Sequence, residues 1–156
     1  MPNWVKNKLI ITSSGEDYKK IIELVKSDNR DFDFEKIIPM PENIYRGGIG
    51  PSEEAIYGEN TWYSWSINNW GTKWNSNNSQ ISSDGDIVLE TAWSTPEKVF
   101  VKLSELFPDV EFEIQYADED IGSNCGKYVI INGNATEDYD IGNSENFAHN
   151  LWYNEY

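Results

Sequence analysis

The residues best equipped to recognise another molecule lie in one short stretch. Four of the chain's seven tryptophans, Trp62, Trp65, Trp70 and Trp74, fall within thirteen residues, the last two inside Asn69-Trp70-Gly71-Thr72-Lys73-Trp74. An indole offers a large apolar face and one N–H donor, so such density marks either a core centrepiece or a binding surface. Lys73 sets a cation beside aromatic faces, Thr72 adds a hydroxyl, and Gly71 lets backbone approach closely. With Trp62, Asn69, Trp70, Trp74 and Trp93 they form a candidate site for a planar anionic ligand such as a nucleotide. The competing reading packs Trp62, Trp70, Trp74 and Trp93 into a buried cluster and lets Lys73 reach out to solvent.

A second set of candidates is acidic. Net charge is -15, and from Asp84 onward 16 Asp and Glu face only Lys98, Lys102 and Lys127. Repulsion from phosphates opposes sequence-independent nucleic-acid binding. The same charge suits a basic protein partner, and it also serves solubility alone. Glu111, Glu113, Asp118, Glu119, Asp120, Glu137, Asp138 and Asp140 are expected to form one contiguous negative surface for such a partner.

Catalytic material is scarce. His149 is the single histidine and Cys125 the single cysteine. Asp118-Glu119-Asp120 and Glu137-Asp138-Asp140 offer hard oxygen donors, but no EF-hand spacing is present. An acidic neighbourhood raises a thiol's pKa rather than lowering it, which disfavours Cys125 as a nucleophile. No catalytic residue, metal or cofactor is indicated. One cysteine excludes an internal disulfide, and residues 1–4 lack a basic segment leading into an apolar one. The expected setting is therefore the reducing cytoplasm of a host cell, with no membrane span.

The elements that must position these residues read as α+β. At 156 residues with 38% apolar content, one domain is expected. It carries an irregular insertion at about 42–78 and a C-terminal extension at about 134–156. Residues 4–12 read as a strand. Ser14 with Asp17 opens a helix whose stripe is Tyr18, Ile21, Ile22 and Val25. Residues 42–60 are glycine-rich and irregular. From Thr61 a helix is expected to carry Trp62, Tyr63, Ser66, Ile67 and Trp70 on one face with Trp65 at its edge, stopped by Gly71. Asp84-Gly85 signals a hairpin between 80–82 and 87–93. Ser94 or Thr95 is a candidate cap for a helix carrying Val99, Phe100, Leu103, Leu106 and Phe107. Alternating 110–116 and apolar 127–132 are strands, 136–143 an acidic loop, and 144–152 a terminal helix.

This order predicts a ferredoxin-like sandwich, a mainly antiparallel sheet of four or five strands with helices on one face and a Trp-rich helical insertion. Ile10, Ile22, Leu89, Leu103, Phe112 and Ile130 are expected in the layer between. Met1-Pro2-Asn3-Trp4, residues 34–41, 69–74, 90–96 and 103–108 resemble the YubB-type ferredoxin-like domain family, in order over residues 1–133. The resemblance implies a phage- or plasmid-encoded accessory protein and assigns no catalytic residue. Many relatives carry a cysteine after Asn-Trp, where this chain has Val5. Three functions stay open: an acidic module that binds or blocks a basic host protein, a nucleotide or small-molecule binder, and an enzyme of unassigned reaction.

Overall fold

The computed structural model describes residues 2–154; Met1, the first residue of the 1–4 match, lies outside them. Six strands form one sheet in the order β2-β3-β1-β4-β5-β6. They are β1 (Trp4–Thr12), β2 (Asn77–Ile81), β3 (Ile87–Ala92), β4 (Glu111–Asp118), β5 (Cys125–Ile131) and β6 (Asn134–Asp138), and every pairing is antiparallel. The helices are α1 (Gly15–Val25), α2 (Pro51–Tyr57), α3 (Trp62–Asn69), α4 (Glu97–Leu106) and α5 (Ser144–Tyr153). None of the described helices is long and apolar enough to cross a membrane.

Period-two alternation decides the core. Leu9, Ile87, Leu89, Phe112, Ile114 and Ile130 face one side, where α1 contributes Ile21 and Val25 and α4 contributes Val99, Phe100 and Leu103. α1 and α4 thus cover one face of a ferredoxin-like sheet. Leu89, Leu103, Phe112 and Ile130 are buried as expected, whereas Ile10 and Ile22 are only half-buried. Leu9 and Ile11 point to the core, so Ile10 between them must face away. The opposite face takes α5, whose Ala148 and Leu151 pack on Ala117. Trp152 fixes it there by donating its indole N–H to the carbonyls of Ala117 (2.9 Å) and Asp118 (3.1 Å).

Three local expectations need correction. The loop read at 136–143 begins with β6, which has no apolar stripe and exists because of its turn. Asn132 (φ 46°) and Gly133 (φ 80°) supply the two positive angles of a tight hairpin. Residues 42–60 hold α2, started by Pro51 and stopped at Gly58, with none of its residues buried. The α4 terminus has no side-chain cap. Ser94 Oγ instead donates to the Gly71 carbonyl (2.6 Å), and Thr95 pairs with the Tyr128 hydroxyl (2.8 Å). The Ser14 cap of α1 forms as read, accepting from the Asp17 N–H at 3.1 Å.

A polar joint ties residues 32–36 to the start of β2. Asn75 accepts from the Phe34 N–H and donates to Asp33 Oδ1 (2.8 Å), while Ser76 Oγ donates to the Phe32 carbonyl. Burial pushes the Asp33 carboxyl up. Hydrogen bonds from Asn75, Ser27 and the Glu35 N–H, with Arg30 nearby, outweigh burial and hold it below its usual value of 3.8. A depressed carboxyl stabilises the fold fully above its unfolded pKa, and that contribution disappears as pH falls through the lower folded value. Asp33→Ala should cost about 1–3 kcal/mol at neutral pH, since it strands the Asn75 and Glu35 donors. In urea melts the deficit should shrink below about pH 4; a deficit independent of pH would assign the effect to packing.

A candidate aromatic and acidic interface

The backbone register brings the two candidate sets together at one end of the sheet. Trp4 opens β1 opposite Ala92 of β3, and Val5 pairs with Asp118 of β4. Asn3 and Trp4 therefore sit between the end of β3, which leads into Trp93, and the end of β4, which leads into Glu119 and Asp120. The Asn3 carbonyl accepts from the Trp93 N–H (2.9 Å), and Asn3 Nδ2 donates to Asp118 Oδ1 (3.1 Å). The Trp4 N–H donates to Glu119 Oε1 (2.9 Å), and the Trp4 carbonyl accepts from the Glu119 N–H (2.9 Å).

On this frame the tryptophans divide by role. Trp70 is core, 3% exposed, edge-on to Phe34 (5.5 Å) and Trp65 (5.1 Å), with its N–H on the Ile38 carbonyl (2.9 Å). Trp74 and Trp93 are surface, 37% and 43% exposed. Trp74 lies against Trp4 at 5.8 Å, Tyr63 meets Trp93 at 6.4 Å, and the Lys73 ammonium stands 4.4 Å over Trp74 and 4.9 Å over Trp93. The four-tryptophan buried cluster is thus replaced by one core indole and a surface group. Trp62 is half-buried, edge-on to Tyr63 at 5.9 Å, with its N–H on the Gly47 carbonyl (2.9 Å). Within α3, Ser66 is buried and Trp65, at the edge of the expected face, packs against the core, whereas Tyr63 stays exposed.

The turn after α3 is only partly superficial. Asn69 Nδ2 donates back to the Trp65 carbonyl (2.9 Å), and Gly71 takes the left-handed angle (φ 81°) that ends the helix. Thr72 is fully buried, its hydroxyl on the Ala92 carbonyl at 2.6 Å. Asn69, Gly71 and Thr72 therefore fix the platform, and Lys73, Trp74 and Trp93 present it.

Trp93 carries the clearest sign of design for exposure. Its φ of 71° lies in the left-handed region, where a bulky residue is strained by about 1–3 kcal/mol. Hydrogen bonds on both sides hold it there, from its N–H to Asn3 and from Asn124 Nδ2 to its carbonyl (3.1 Å). The strained backbone sets this ring outside the core cluster, partly covered by Tyr63 and Lys73 and partly open to water.

The acids occupy four places rather than one surface. Asp118, Glu119 and Asp120 border the aromatic group. Asp118 is 7% exposed and binds Asn3 and the Asp120 N–H (2.9 Å), so it builds the corner; Glu119 and Asp120 are its exposed members. Glu111 lies at the far end of β4, seven residues or about 23 Å away, beyond a screening length of about 8 Å. Glu113 and Asp138 share the α5 face with Lys127, which pairs with Asp138 at 3.2 Å. The N–H of Asp140 and then Lys127 hold the Asp138 carboxyl below its usual value. Glu137 pairs in register with Tyr128 and so lies on the α4 side.

Among the described residues no three of His, Cys, Asp and Glu converge as a metal site. His149 is exposed, its ring tilted against Tyr153 at 4.8 Å, and Cys125 Sγ rests 4.0 Å from the Ser144 carbonyl. Asn3, Trp4, Tyr63 and Asn124 were absent from the candidates read in the sequence. Their signal was weak: only strand pairing shows that the first residues of β1 adjoin residue 93.

A six-stranded antiparallel sheet with two helices on one face defines a ferredoxin-like domain. A family model described as the ferredoxin-like domain in Api92-like protein matches residues 69–152, more than half of the chain, and the chain belongs to that family. The match bears out the ferredoxin-like part of the resemblance read from the sequence. Among solved structures, the crystal structure of protein api92 from Yersinia pseudotuberculosis is similar at 17% identity and a TM-score of 0.43. That likeness covers 68% of this chain and 39% of the other, so the chain spans about two fifths of that relative's length. No curated protein matches.

Proposed function

We propose that the Trp4–Trp74–Trp93 surface, with Glu119 and Asp120 at its border, binds a basic protein partner. The observation that carries this reading is Trp93, held exposed in a strained backbone beside acids that Asn3 and Trp4 bring to the same corner. Aromatic residues at the centre with charged groups at the rim are the usual energetic layout of a protein interface. Indole faces attract Lys and Arg side chains by about 0.5–2 kcal/mol each, and rim carboxylates accelerate encounter with a positive surface. The phage or plasmid setting implied by the YubB-type resemblance makes a host protein the natural source of that partner. A host defence or nucleic-acid enzyme, basic by trade, fits the charge.

Affinity capture from host lysate identifies the partner, and calorimetry with the purified protein tests it. Trp74→Ala and Trp93→Ala should each weaken binding at least about tenfold, a loss of about 1.4 kcal/mol, with the melting temperature unchanged. Binding should also weaken as salt rises. Equal binding by wild type and both variants would remove the surface from consideration. Quenching of tryptophan fluorescence by a nucleotide, with no protein captured, would transfer the surface to the small-molecule reading.

A further inference from the structure

A cleft of about 320 Å³ opens on the α4 side of the sheet, lined by Thr95, Glu97, Tyr116, Tyr128, Ala135 and Glu137. It shares no residue with the aromatic surface above. Tyr116 and Tyr128 form its wall, ring centroids 5.8 Å apart and tilted 58°. Gly126 makes this wall possible: a Cβ there would lie 2.7 Å from the Tyr116 hydroxyl, so only glycine lets that ring lie across β5. The Tyr128 hydroxyl is held by Thr95 at 2.8 Å. Burial, and then the nearby Glu137 and Glu97, push the Tyr116 phenol up, and burial does the same for Tyr128. Both rings are therefore neutral at physiological pH.

The charge in the cleft is one-sided. Glu97 enters from the first turn of α4 and Glu137 from β6, and both are exposed at the opening. Neither carboxylate is ion-paired among the described residues, and Glu137 has only the Tyr139 phenol as a hydrogen-bond partner. The nearby lysines are committed elsewhere, Lys98 to the Asn68 carbonyl and Lys127 to Asp138 on the opposite face. The α4 N-terminus adds about half a positive charge, which two full carboxylate charges exceed. Neutral tyrosine faces flanked by carboxylates attract a cation that also has apolar surface to bury. A hydrated metal ion, with no third ligand and no use for the rings, is a poor match.

We propose that this cleft binds a primary alkylammonium group, carried by a free diamine or by a lysine side chain. The ammonium sits between Glu97 and Glu137, and the methylene chain lies along the half-buried Tyr116, with the buried Tyr128 behind it. The test is an amide-resolved NMR titration with 1,5-diaminopentane in one arm and N-acetyl-lysine methylamide in the other, at matched ionic strength. Shifts should centre on Gly126, Tyr128 and Ala135. Glu97→Gln, Glu137→Gln and Tyr116→Leu should each raise Kd at least about tenfold. Glu113→Gln, the same charge change on the other face, should bind as wild type. Tighter binding of the diamine assigns a free amine, and equal or tighter binding of the lysine amide assigns a side chain; each supports the site. The proposal is overturned if neither probe binds at about 10 mM, or if Glu113→Gln weakens binding as much as Glu97→Gln.

Discussion

Trp70→Ala should lower stability by about 3–5 kcal/mol, the range for removing a large aromatic from a packed core. For a domain whose total stability is about 5–15 kcal/mol, that is about a fifth of the whole at the least. The urea midpoint should fall by about 2 M at a slope of about 2 kcal/mol per M. Two separable causes contribute. Phe34 and Trp65 lose the ring they close on, and the Ile38 carbonyl loses its donor. Trp70→Phe keeps most of the ring contact and orphans only the carbonyl, so it should cost less, about 1–3 kcal/mol. If the two variants melt alike, the hydrogen bond rather than packing dominates the site.

Asn7→Asp should be at least as severe, and it should depend on pH. Asn7 is fully buried in β1 between Leu89 and Tyr116 of the flanking strands. Its amide nitrogen donates to the Val5 carbonyl (3.1 Å) and to Thr91 Oγ1 (2.9 Å), while its oxygen has no donor. A carboxylate there loses both donors and its hydration, and burial of this kind raises a carboxyl pKa by about 3 units or more. The folded state then holds a proton that the unfolded state releases. The variant is close to its best below about pH 4, and each pH unit above that costs about 1.4 kcal/mol until the folded pKa is passed. The expected loss at pH 7 is about 4 kcal/mol. Asn7→Leu carries no charge and leaves the Thr91 hydroxyl on the Ser94 carbonyl (2.7 Å), so its melting should be nearly independent of pH. A flat pH profile for Asn7→Asp would mean that water reaches this position.

The pattern that sequence reads best is the one that repeats. Alternation in 110–116 and the helical stripes of α1 and α4 identify the sheet, the covering helices and most of the core layer, because burial of one face imposes those periods. Elements built by turns or by non-local bonds leave weaker traces. β6 has no apolar residue besides Ala135, and its cue was the Asn132-Gly133 pair rather than any strand propensity. The site divides in the same way. Density made the tryptophans conspicuous, yet which indole is core and which is surface depends on Ile38, Trp4 and Asn3, residues 32 to 90 positions away. Acidity was visible as composition, but strand register sends its members to different places. A one-residue offset moves a carboxylate to the other face, as Glu137 and Asp138 show.

The two ends of the strand order have a consequence for the life of the molecule in a crowded solution. β2 and β6 each leave a row of backbone donors and acceptors without a neighbour, an open invitation to another chain. β2 answers with an irregular register between Asn77 and Gln80, where Asn78 turns to a φ of 49° and breaks the flat template. β6 answers with brevity and charge: five residues ending in Glu137 and Asp138, followed by Asp140. A second copy approaching that edge meets carboxylates before it meets a hydrogen bond. Part of the acidity that looks like an attraction to others is a refusal of self, set at the edge where another strand would add.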